Sequence, residues 1–159
     1  MDEMTVREAE KRDIPRLIDL LEAVHYTHHL LRPDIFTEKG RKYSEPDLIK
    51  ILSDESKRVF VCEADGDVVG YAFCVIKRLI DPMVYPMTEF HVDDICVDES
   101  MRRGGVATAL FERIRAEAEK IEADRITLNV WEGNDPARRF YEKMGMTVMK
   151  TMMEINLRK

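Results

Sequence analysis

The chain has 159 residues, 45% hydrophobic and 35% charged, which predicts one globular domain over residues 1–159 with a core large enough to fold alone. Its formal net charge of −6 argues against nucleic acid as the main partner, because phosphate binding needs a basic face. No apolar run approaches the roughly 18 residues of a membrane span, and the first residues lack the basic and apolar regions of a signal peptide, so we expect a cytoplasmic protein without a membrane partner.

The first half of the chain predicts a strand, two helices and a β-hairpin. A helix begins near Asp13, because apolar residues recur at helical spacing from there to Val24, and Pro15 is tolerated in a first turn. Asp65-Gly66 is typical of the tight turn that joins two antiparallel strands. In chain order, the predicted elements are a strand at 5–7, a helix from 13, a helix over 44–53, and strands at 58–64 and 68–77.

The second half predicts strands that alternate with helices. Glu89–Val97 is an apolar strand, and the helical spacing of apolar residues predicts a long helix over Val106–Ile121. A further helix begins at Asn134 or Asp135, both of which are good N-caps, and Gly145 ends it in the left-handed conformation. The remaining predicted elements are a buried strand at 125–130 and one or two strands within 147–157.

These elements follow one another as β-α-α-β-β-β-α-β-α-β. The strand–helix–strand unit from Phe90 to Val130 implies two parallel strands joined by a crossover helix. The three strands before that helix form a meander, which implies antiparallel pairing. The sequence therefore predicts an α/β (α+β) fold with a mixed, mostly antiparallel central sheet flanked by helices.

The stretch Arg102–Ala107 predicts an anion site between the central strand and the long helix. Gly104 and Gly105 let the backbone approach a ligand without a Cβ in the way. The first turn of the helix that follows offers unpaired N–H groups and the positive end of the helix dipole. With Arg102 and Arg103 beside it, this corner suits a phosphate or pyrophosphate; a glycine-relaxed turn with two solvated arginines is the alternative.

Two segments in this order and spacing resemble the GNAT superfamily of N-acetyltransferases. Arg102, Gly105 and Ala107 match the Arg-x-x-Gly-x-Ala form of that family's acyl-CoA pyrophosphate loop. Asn134–Gly145 looks like the family's second cofactor segment. The first half of the chain matches the family in layout more than in residues, and the layout that the resemblance implies is the fold predicted above.

The resemblance implies transfer of an acetyl group from acetyl-CoA, as co-substrate, to a primary amine of a small molecule or peptide, by direct attack in a ternary complex. In the family, the strand that corresponds to Asp93–Val97 pairs with pantetheine, and a backbone N–H at Cys96 or Val97 could polarise the thioester carbonyl. The cofactor contacts that the resemblance implies are Ile95, Cys96, Val97, Arg102, Arg103, Gly104, Gly105, Val106, Ala107, Asn134 and Arg138.

A tyrosine and a carboxylate are the expected acid and base. Tyr141 matches the family tyrosine that protonates the leaving thiolate. The amine must lose a proton before it attacks, and Asp93 or Glu89 on the central strand is the predicted base, with Asp94 or an unassisted water as alternatives. Asp93 occupies the acidic position of polyamine-type members of the family. Strand alternation predicts one face that carries Glu89, His91, Asp93 and Ile95. The resemblance implies a bulge on this strand, which would shift that alternation.

Histidine and cysteine patterns leave further roles open. His25, His28 and His29 share one helical face, where they form a wall of an acceptor pocket, bind zinc, or are ordinary core and surface side chains. We predict no metal, since no cysteine or carboxylate stands at ligand spacing. The three cysteines fit buried reduced thiols, with a nucleophilic Cys96 as the alternative.

Two functions other than catalysis fit the same loop. A non-catalytic acyl-CoA-binding regulatory domain is the main alternative, although Tyr141 and the carboxylates argue against it. A nucleotide-phosphate-binding protein is disfavoured, because the chain has neither a Gly-Lys-Ser/Thr motif nor a full Gly-x-Gly-x-x-Gly. The acceptor is left open among a polyamine, another small amine, an aminoglycoside and a peptide amine, and a homodimer is left open too.

Overall fold

The structure is a computed structural model that describes residues 3–102 and 104–158. The chain forms two compact units, a larger one that ends at Asn129 and a smaller one that begins at Val130. Over the described residues, no helix combines the length and the apolar character that crossing a membrane requires.

The larger unit follows the predicted order of strands and helices. Its elements are β1 (Met4–Glu8), α1 (Ile14–Leu31), α2 (Glu45–Leu52), β2 (Lys57–Ala64), β3 (Asp67–Leu79), β4 (Met87–Val97), α3 (Val106–Lys120) and β5 (Arg125–Leu128). The capping box at Ser44 and Asp47 begins α2. Asp13 differs from prediction: it belongs to a short 3-10 turn, Lys11–Asp13, and its carboxylate accepts a hydrogen bond from the N–H of Glu10 instead of capping α1.

The five strands form one sheet in the order β1-β2-β3-β4-β5. The first three pairings are antiparallel, and β4 pairs with β5 in parallel after the α3 crossover. This confirms the predicted mixed, mostly antiparallel sheet. The β2–β3 turn is at Asp65 and Gly66, which both have positive φ, as a tight hairpin turn requires.

Each face of the sheet is covered by its own apolar cluster, because strand side chains alternate between faces. The α3-side core consists of Phe60, Cys62, Ala64, Val69, Ala72, Cys74, Phe90, Val92, Val106, Leu110, Ile114 and Ala118. The α1/α2-side core consists of Ile14, Leu17, Leu20, Leu21, Leu48, Ile51, Val59, Val61, Val68, Tyr71 and Phe73. The sheet is thus flanked by helices on both faces, as predicted.

The smaller unit contains α4 (Asp135–Lys143), with Asn134 as its N-cap. Gly145, with φ of +100°, ends it, and the N–H groups of Gly145 and Met146 donate to the carbonyls of Glu142 and Tyr141. The strand predicted within Thr147–Leu157 is wrong, since residues 146–158 form no strand. Its alternating sequence is typical of a strand, but a strand exists only in a ladder with a partner, and this segment makes none.

Candidate active site

A β-bulge interrupts β4 at its two adjacent aspartates. Phe73 of β3 pairs with Asp94, but the next residue, Cys74, pairs with Val92. Asp93 is therefore an extra residue in this ladder. The side-chain alternation of β4 changes at this point.

The bulge shifts the alternation of side chains, so Ile95 does not share a face with Asp93 as it would in an uninterrupted strand. Ile95 packs against the α3-side core. Asp93 and Asp94 instead accept hydrogen bonds from the hydroxyls of Tyr43 and Tyr71, which both pack in or against the α1/α2-side core. The bulge thus turns two adjacent carboxylates toward the same face of the sheet.

Asp93 is held as an anion by the segment between α1 and α2. The Tyr43 hydroxyl donates to Asp93 Oδ2, and Lys42 Nζ lies 3.1 Å from the same oxygen. Burial raises the pKa of Asp93, but the Tyr43 hydrogen bond and the charge of Lys42 outweigh it, so that the pKa lies below its usual value. A carboxylate with a lowered pKa binds a proton weakly, which makes Asp93 a good cation partner and a weak base.

Asp94 has the opposite electrostatic balance. Burial raises the pKa of its carboxyl above the usual value, although the hydrogen bond from Tyr71 and the charges of Lys42 and His28 act against this. The Tyr71 hydroxyl donates to Asp94 Oδ2 at 2.7 Å, and Tyr71 is itself fully buried. A carboxylate whose pKa is raised above its usual value is better suited to accept a proton during a reaction.

Glu89 lies in a different part of β4. It is paired in register with Lys77 of β3 and with Arg125 of β5. Four residues of extended strand separate it from Asp93, which is about 13 Å at the rise of a strand. The structure therefore does not bring Glu89 together with the two aspartates.

The bulge also marks the point where β4 and β5 separate. The parallel ladder between them ends at Val92. On the β3 side, the N–H of Asp98 donates to the carbonyl of Val69 at 2.7 Å. Because N–H groups alternate in direction along an antiparallel strand, those of Ile95 and Val97 point away from β3. These two donors face the edge of β4 that β5 has left.

The predicted anion loop connects this strand to α3. Gly105 is the N-cap of α3 and has φ of +86°, a conformation that favours glycine. The N–H of Ala109 donates to the carbonyl of Gly105 at 2.9 Å, which begins the helix ladder, so the N–H groups of Val106 and Ala107 precede it. Arg102 and both glycines are exposed, whereas Val106 is buried. Arg103 lies outside the described residues.

Gly70 explains how α3 comes close to the sheet at this corner. A Cβ at Gly70 would lie 2.8 Å from Val106 Cγ1 and 2.9 Å from the carbonyl oxygen of Cys96. Real Cβ atoms do not approach other atoms this closely. Because Gly70 has no side chain, β3, the end of β4 and the first turn of α3 can pack this closely together.

Within the smaller unit, the three predicted residues all lie on or next to α4. Asn134 Oδ1 accepts a hydrogen bond of 3.4 Å from the N–H of Ala137, which is the N-cap role predicted for Asn134 or Asp135. Arg138 Nε donates to Glu142 Oε1 at 2.9 Å. The half-buried Tyr141 has its ring edge-on to Phe140, with 5.5 Å between ring centroids.

Cys96 is half-buried, and His25 and His29 contact backbone carbonyls. Burial raises the pKa of the Cys96 thiol to about 12, which disfavours the thiolate that a nucleophile needs. His25 Nε2 and His29 Nδ1 each lie 2.8 Å from a backbone carbonyl of the segment after α1, those of Thr37 and Phe36. Among residues 3–102 and 104–158, no three His, Cys, Asp or Glu side chains are grouped to hold a metal ion.

Sequence reasoning missed the tyrosines and the lysine around the bulge. Tyr71 carries a sequence signal, because a buried strand tyrosine needs a partner for its hydroxyl. Tyr43 and Lys42 carry none, since they reach Asp93 across about 50 residues of chain from an irregular segment. Their partner is set by tertiary folding.

The match to a family model identifies the class of protein. Residues 23–146 match the model of the Acetyltransferase (GNAT) family. The chain is 32% identical over 165 aligned residues to the L-amino acid N-acetyltransferase AaaT of Escherichia coli, covering 99% of this chain and 91% of that protein. It is 33% identical over 112 residues to an N-alpha-acetyltransferase of Sulfurisphaera tokodaii, an alignment that spans 65% of each chain.

Solved structures share the fold. A crystal structure of a mutant BH1408 protein from Bacillus halodurans aligns with a TM-score of 0.92 at 28% identity, over 96% of this chain and 99% of that one. The aminoglycoside N-acetyltransferase AAC(6')-Iy in complex with CoA aligns with a TM-score of 0.74 at 16% identity, over 100% and 97%. The chain belongs to the GNAT family, and the predicted class of enzyme, an acetyl-CoA-dependent acetyltransferase, is confirmed.

Proposed function

We propose that this acetyltransferase transfers the acetyl group of acetyl-CoA to the α-amino group of an amino acid or peptide, by direct attack in a ternary complex. The observation that carries the proposal is the pair of carboxylates at the β4 bulge, which gives the acceptor side a negative charge suited to an ammonium group. The α-amine is favoured because AaaT and the archaeal relative are named for acetylation of amino acids and α-amines. Polyamines, other small amines and aminoglycosides remain alternatives.

Acetyl-CoA is held by backbone in this proposal. The N–H groups at the start of α3 bind the pyrophosphate, with Arg102 and Arg103 adding positive charge. The N–H groups of Ile95 and Val97 at the open edge of β4 bind pantetheine and polarise the thioester carbonyl. CoA bound to AAC(6')-Iy, a protein of the same fold, supports this use of the fold. Asn134 and Arg138 stay predicted cofactor contacts.

We assign the general base to Asp94 ahead of Asp93 or Glu89. Burial raises the pKa of Asp94, which favours it as a proton acceptor, whereas the Tyr43 hydrogen bond and the charge of Lys42 lower the pKa of Asp93. Asp94 takes a proton from the acceptor ammonium, directly or through water. The freed amine then attacks the thioester carbonyl carbon.

Tyr141 is the proposed general acid. As the carbon–sulfur bond breaks, negative charge builds on sulfur, and the phenol of Tyr141 donates a hydrogen bond or its proton to it. A tyrosine hydroxyl with an ordinary pKa of about 10 stays protonated at neutral pH. Full transfer to a thiolate of pKa about 8.5 is slightly uphill, so the benefit is moderate.

A panel of acceptors tests the proposal. We expect CoA release from acetyl-CoA with several L-amino acids and short peptides, and much less with their Nα-blocked forms. Polyamines and aminoglycosides are included, and preference for one of them would replace the acceptor while keeping the reaction. Binding of acetyl-CoA by calorimetry without release for any amine would instead support the non-catalytic acyl-CoA-binding alternative. A homodimer stays a prediction, which light scattering tests.

A further inference from the structure

Arg16 joins three elements of the larger unit at the end of β4. It lies in the first turn of α1, and its side chain is half-buried. Its Nε donates to the carbonyl of Val68 in β3 at 2.9 Å, and its Nη2 donates to Asp98 Oδ2, the residue directly after β4. One guanidinium thus spans acceptors that are 30 residues apart in sequence.

Asp98 is the fixed start of the segment that leads to α3. Its N–H donates to the carbonyl of Val69 at 2.7 Å. Its Oδ1 accepts from the N–H and the hydroxyl of Ser100, at 3.0 and 2.8 Å, and so caps the 3-10 turn Glu99–Met101. The other oxygen of the carboxylate is the one that Arg16 holds. Hydrogen bonds to both carboxylate oxygens of Asp98 therefore hold the chain where it leaves β4.

The segment between Asp98 and α3 has limited apolar packing. Of its described residues from Glu99 to Gly105, Met101 is half-buried and packs against the α3-side core, and the others are exposed. With so few buried side chains, the segment also depends on polar contacts for its position. We call the Arg16–Asp98 contact the tether. Arg102, Gly104 and Gly105 of the anion loop follow Asp98 by only a few residues.

We propose that Arg16 is a positioning residue for acetyl-CoA, which acts through Asp98 to hold the pyrophosphate loop in its binding conformation; the inference rests on the proposed use of that loop. The planar fork of arginine donates to a strand carbonyl and a carboxylate at once, which a lysine ammonium on a flexible stem does poorly. Loss of the tether leaves the loop's donors present but no longer preorganised, so that cofactor affinity falls.

The test compares two acetyl donors that share a thioester, of which only one carries the pyrophosphate and the nucleotide attached to it. The donors are acetyl-CoA and S-acetylpantetheine, and the variants are Arg16→Gln, Arg16→Lys and the matched control Arg12→Gln. Arg12 is also an arginine in an ion pair, with Glu10, but both side chains are largely exposed. For Arg16→Gln we expect the KM of acetyl-CoA to rise about tenfold, with kcat and the kinetics of S-acetylpantetheine nearly unchanged. Arg16→Lys should fall between, and Arg12→Gln should match the unsubstituted protein.

An equal loss with both donors would overturn the proposal, because it would mean that Arg16 supports the fold as a whole. Unchanged kinetics with both donors would overturn it too. If Arg16→Gln does not fold, Asp98→Asn takes its place. This variant keeps an oxygen for Ser100 but removes the charge that Arg16 holds, and we again compare the change in KM for acetyl-CoA with the change for S-acetylpantetheine. Calorimetry with CoA separates this inference from the proposed function, since a tenfold weaker Kd for Arg16→Gln is measurable even without acetyl transfer. If the unsubstituted protein binds no CoA, both ideas fail.

Discussion

The bulge of β4 at Asp93 and the start of α3 at Val106 are 13 residues apart, yet they consist of different chemical groups. The α3 corner is made of backbone: glycines, N–H groups and the helix end. The bulge is made of side chains that arrive from distant elements, Tyr43 and Lys42 from before α2 and Tyr71 from β3. One region presents donors for an anion, and the other presents carboxylates for a cation.

The two regions differ in how far neighbouring side chains set their chemical properties. Backbone donors at the α3 corner keep their properties whatever side chains surround them. The two aspartates, although adjacent and alike, are given pKa values that shift in opposite directions by their partners. The bulge makes this possible, because it turns neighbouring residues toward one face while giving each its own tyrosine.

The largest expected effect is on kcat, and it should differ between substitutions of Asp94 and of Asp93. Asp94→Asn keeps the size of the side chain but removes the proposed base, so kcat at neutral pH should fall by about 10²–10⁴. Asp93→Asn should cost much less and act mainly on the KM of the amine. Steady-state kinetics of both variants measure the contrast. A larger fall for Asp93→Asn would return the base to the residue first predicted.

Stability should change in the opposite sense to activity at Asp94. A carboxyl whose pKa is raised on folding contributes stability below its unfolded pKa, and this contribution is lost as the pH rises through the folded pKa. Burial makes the ionised form of Asp94 unfavourable for folding, so this contribution is smaller at neutral than at acid pH. We expect Asp94→Asn to have an equal or higher Tm at pH 7 than the unsubstituted protein, with a smaller gain at acid pH, as measured by thermal melts at several pH values.

The second expected effect concerns the proposed acid, which lies in the smaller unit. Tyr141→Phe keeps the ring and its packing on Phe140 but removes the hydroxyl. We expect kcat to fall by about 10–10³, while acetyl-CoA affinity and Tm change little. A donor thioester with a more acidic thiol should recover much of the rate, because its thiolate leaves without help. Weaker acetyl-CoA binding at unchanged kcat would make Tyr141 a structural residue.

The two regions also differ in how far the sequence predicts them. The Arg-x-x-Gly-x-Ala pattern predicts the α3 corner because the constraint on Gly105 is local: a left-handed N-cap before a helix. The resemblance implies a bulge on β4, but its position at Asp93 depends on the register of β3 against β4, which no local pattern encodes. The strand predicted within 147–157 failed for the related reason that alternation does not supply a pairing partner.

The third expected effect tests the packing that joins the two regions. Gly70→Ala adds a Cβ that meets Val106 Cγ1 at 2.8 Å and a backbone oxygen of Cys96 at 2.9 Å, and backbone cannot yield as a flexible side chain does. We expect the free energy of unfolding to fall by about 1–3 kcal/mol, with a higher KM for acetyl-CoA because the first turn of α3 is displaced. Denaturant unfolding and kinetics measure both.

Gly66→Asn is the matched control for Gly70→Ala. Gly66 has φ of +84°, which asparagine tolerates better than most residues, and a Cβ there meets nothing within 4 Å. We expect both stability and KM to stay near their original values. If Gly70→Ala behaves like this control, the close approach at Gly70 is not what positions α3.

The smallest expected effect is a shift in pH dependence that distinguishes the two tyrosines. The Tyr71 hydroxyl donates to Asp94, and this bond favours the ionised carboxylate and lowers its pKa. In Tyr71→Phe the bond is gone, so the pKa of Asp94 rises further above its usual value. Because the base must be ionised to work, the acid limb of kcat/KM should move to higher pH, by about one pH unit for a hydrogen bond of about 1.4 kcal/mol. Tyr43→Phe removes the same hydroxyl from Asp93, which Lys42 still holds as an anion, so its acid limb should stay in place. Equal shifts in both variants would mean that the two carboxylates titrate as one coupled pair, and an acid limb that moves only in Tyr43→Phe would assign the base to Asp93.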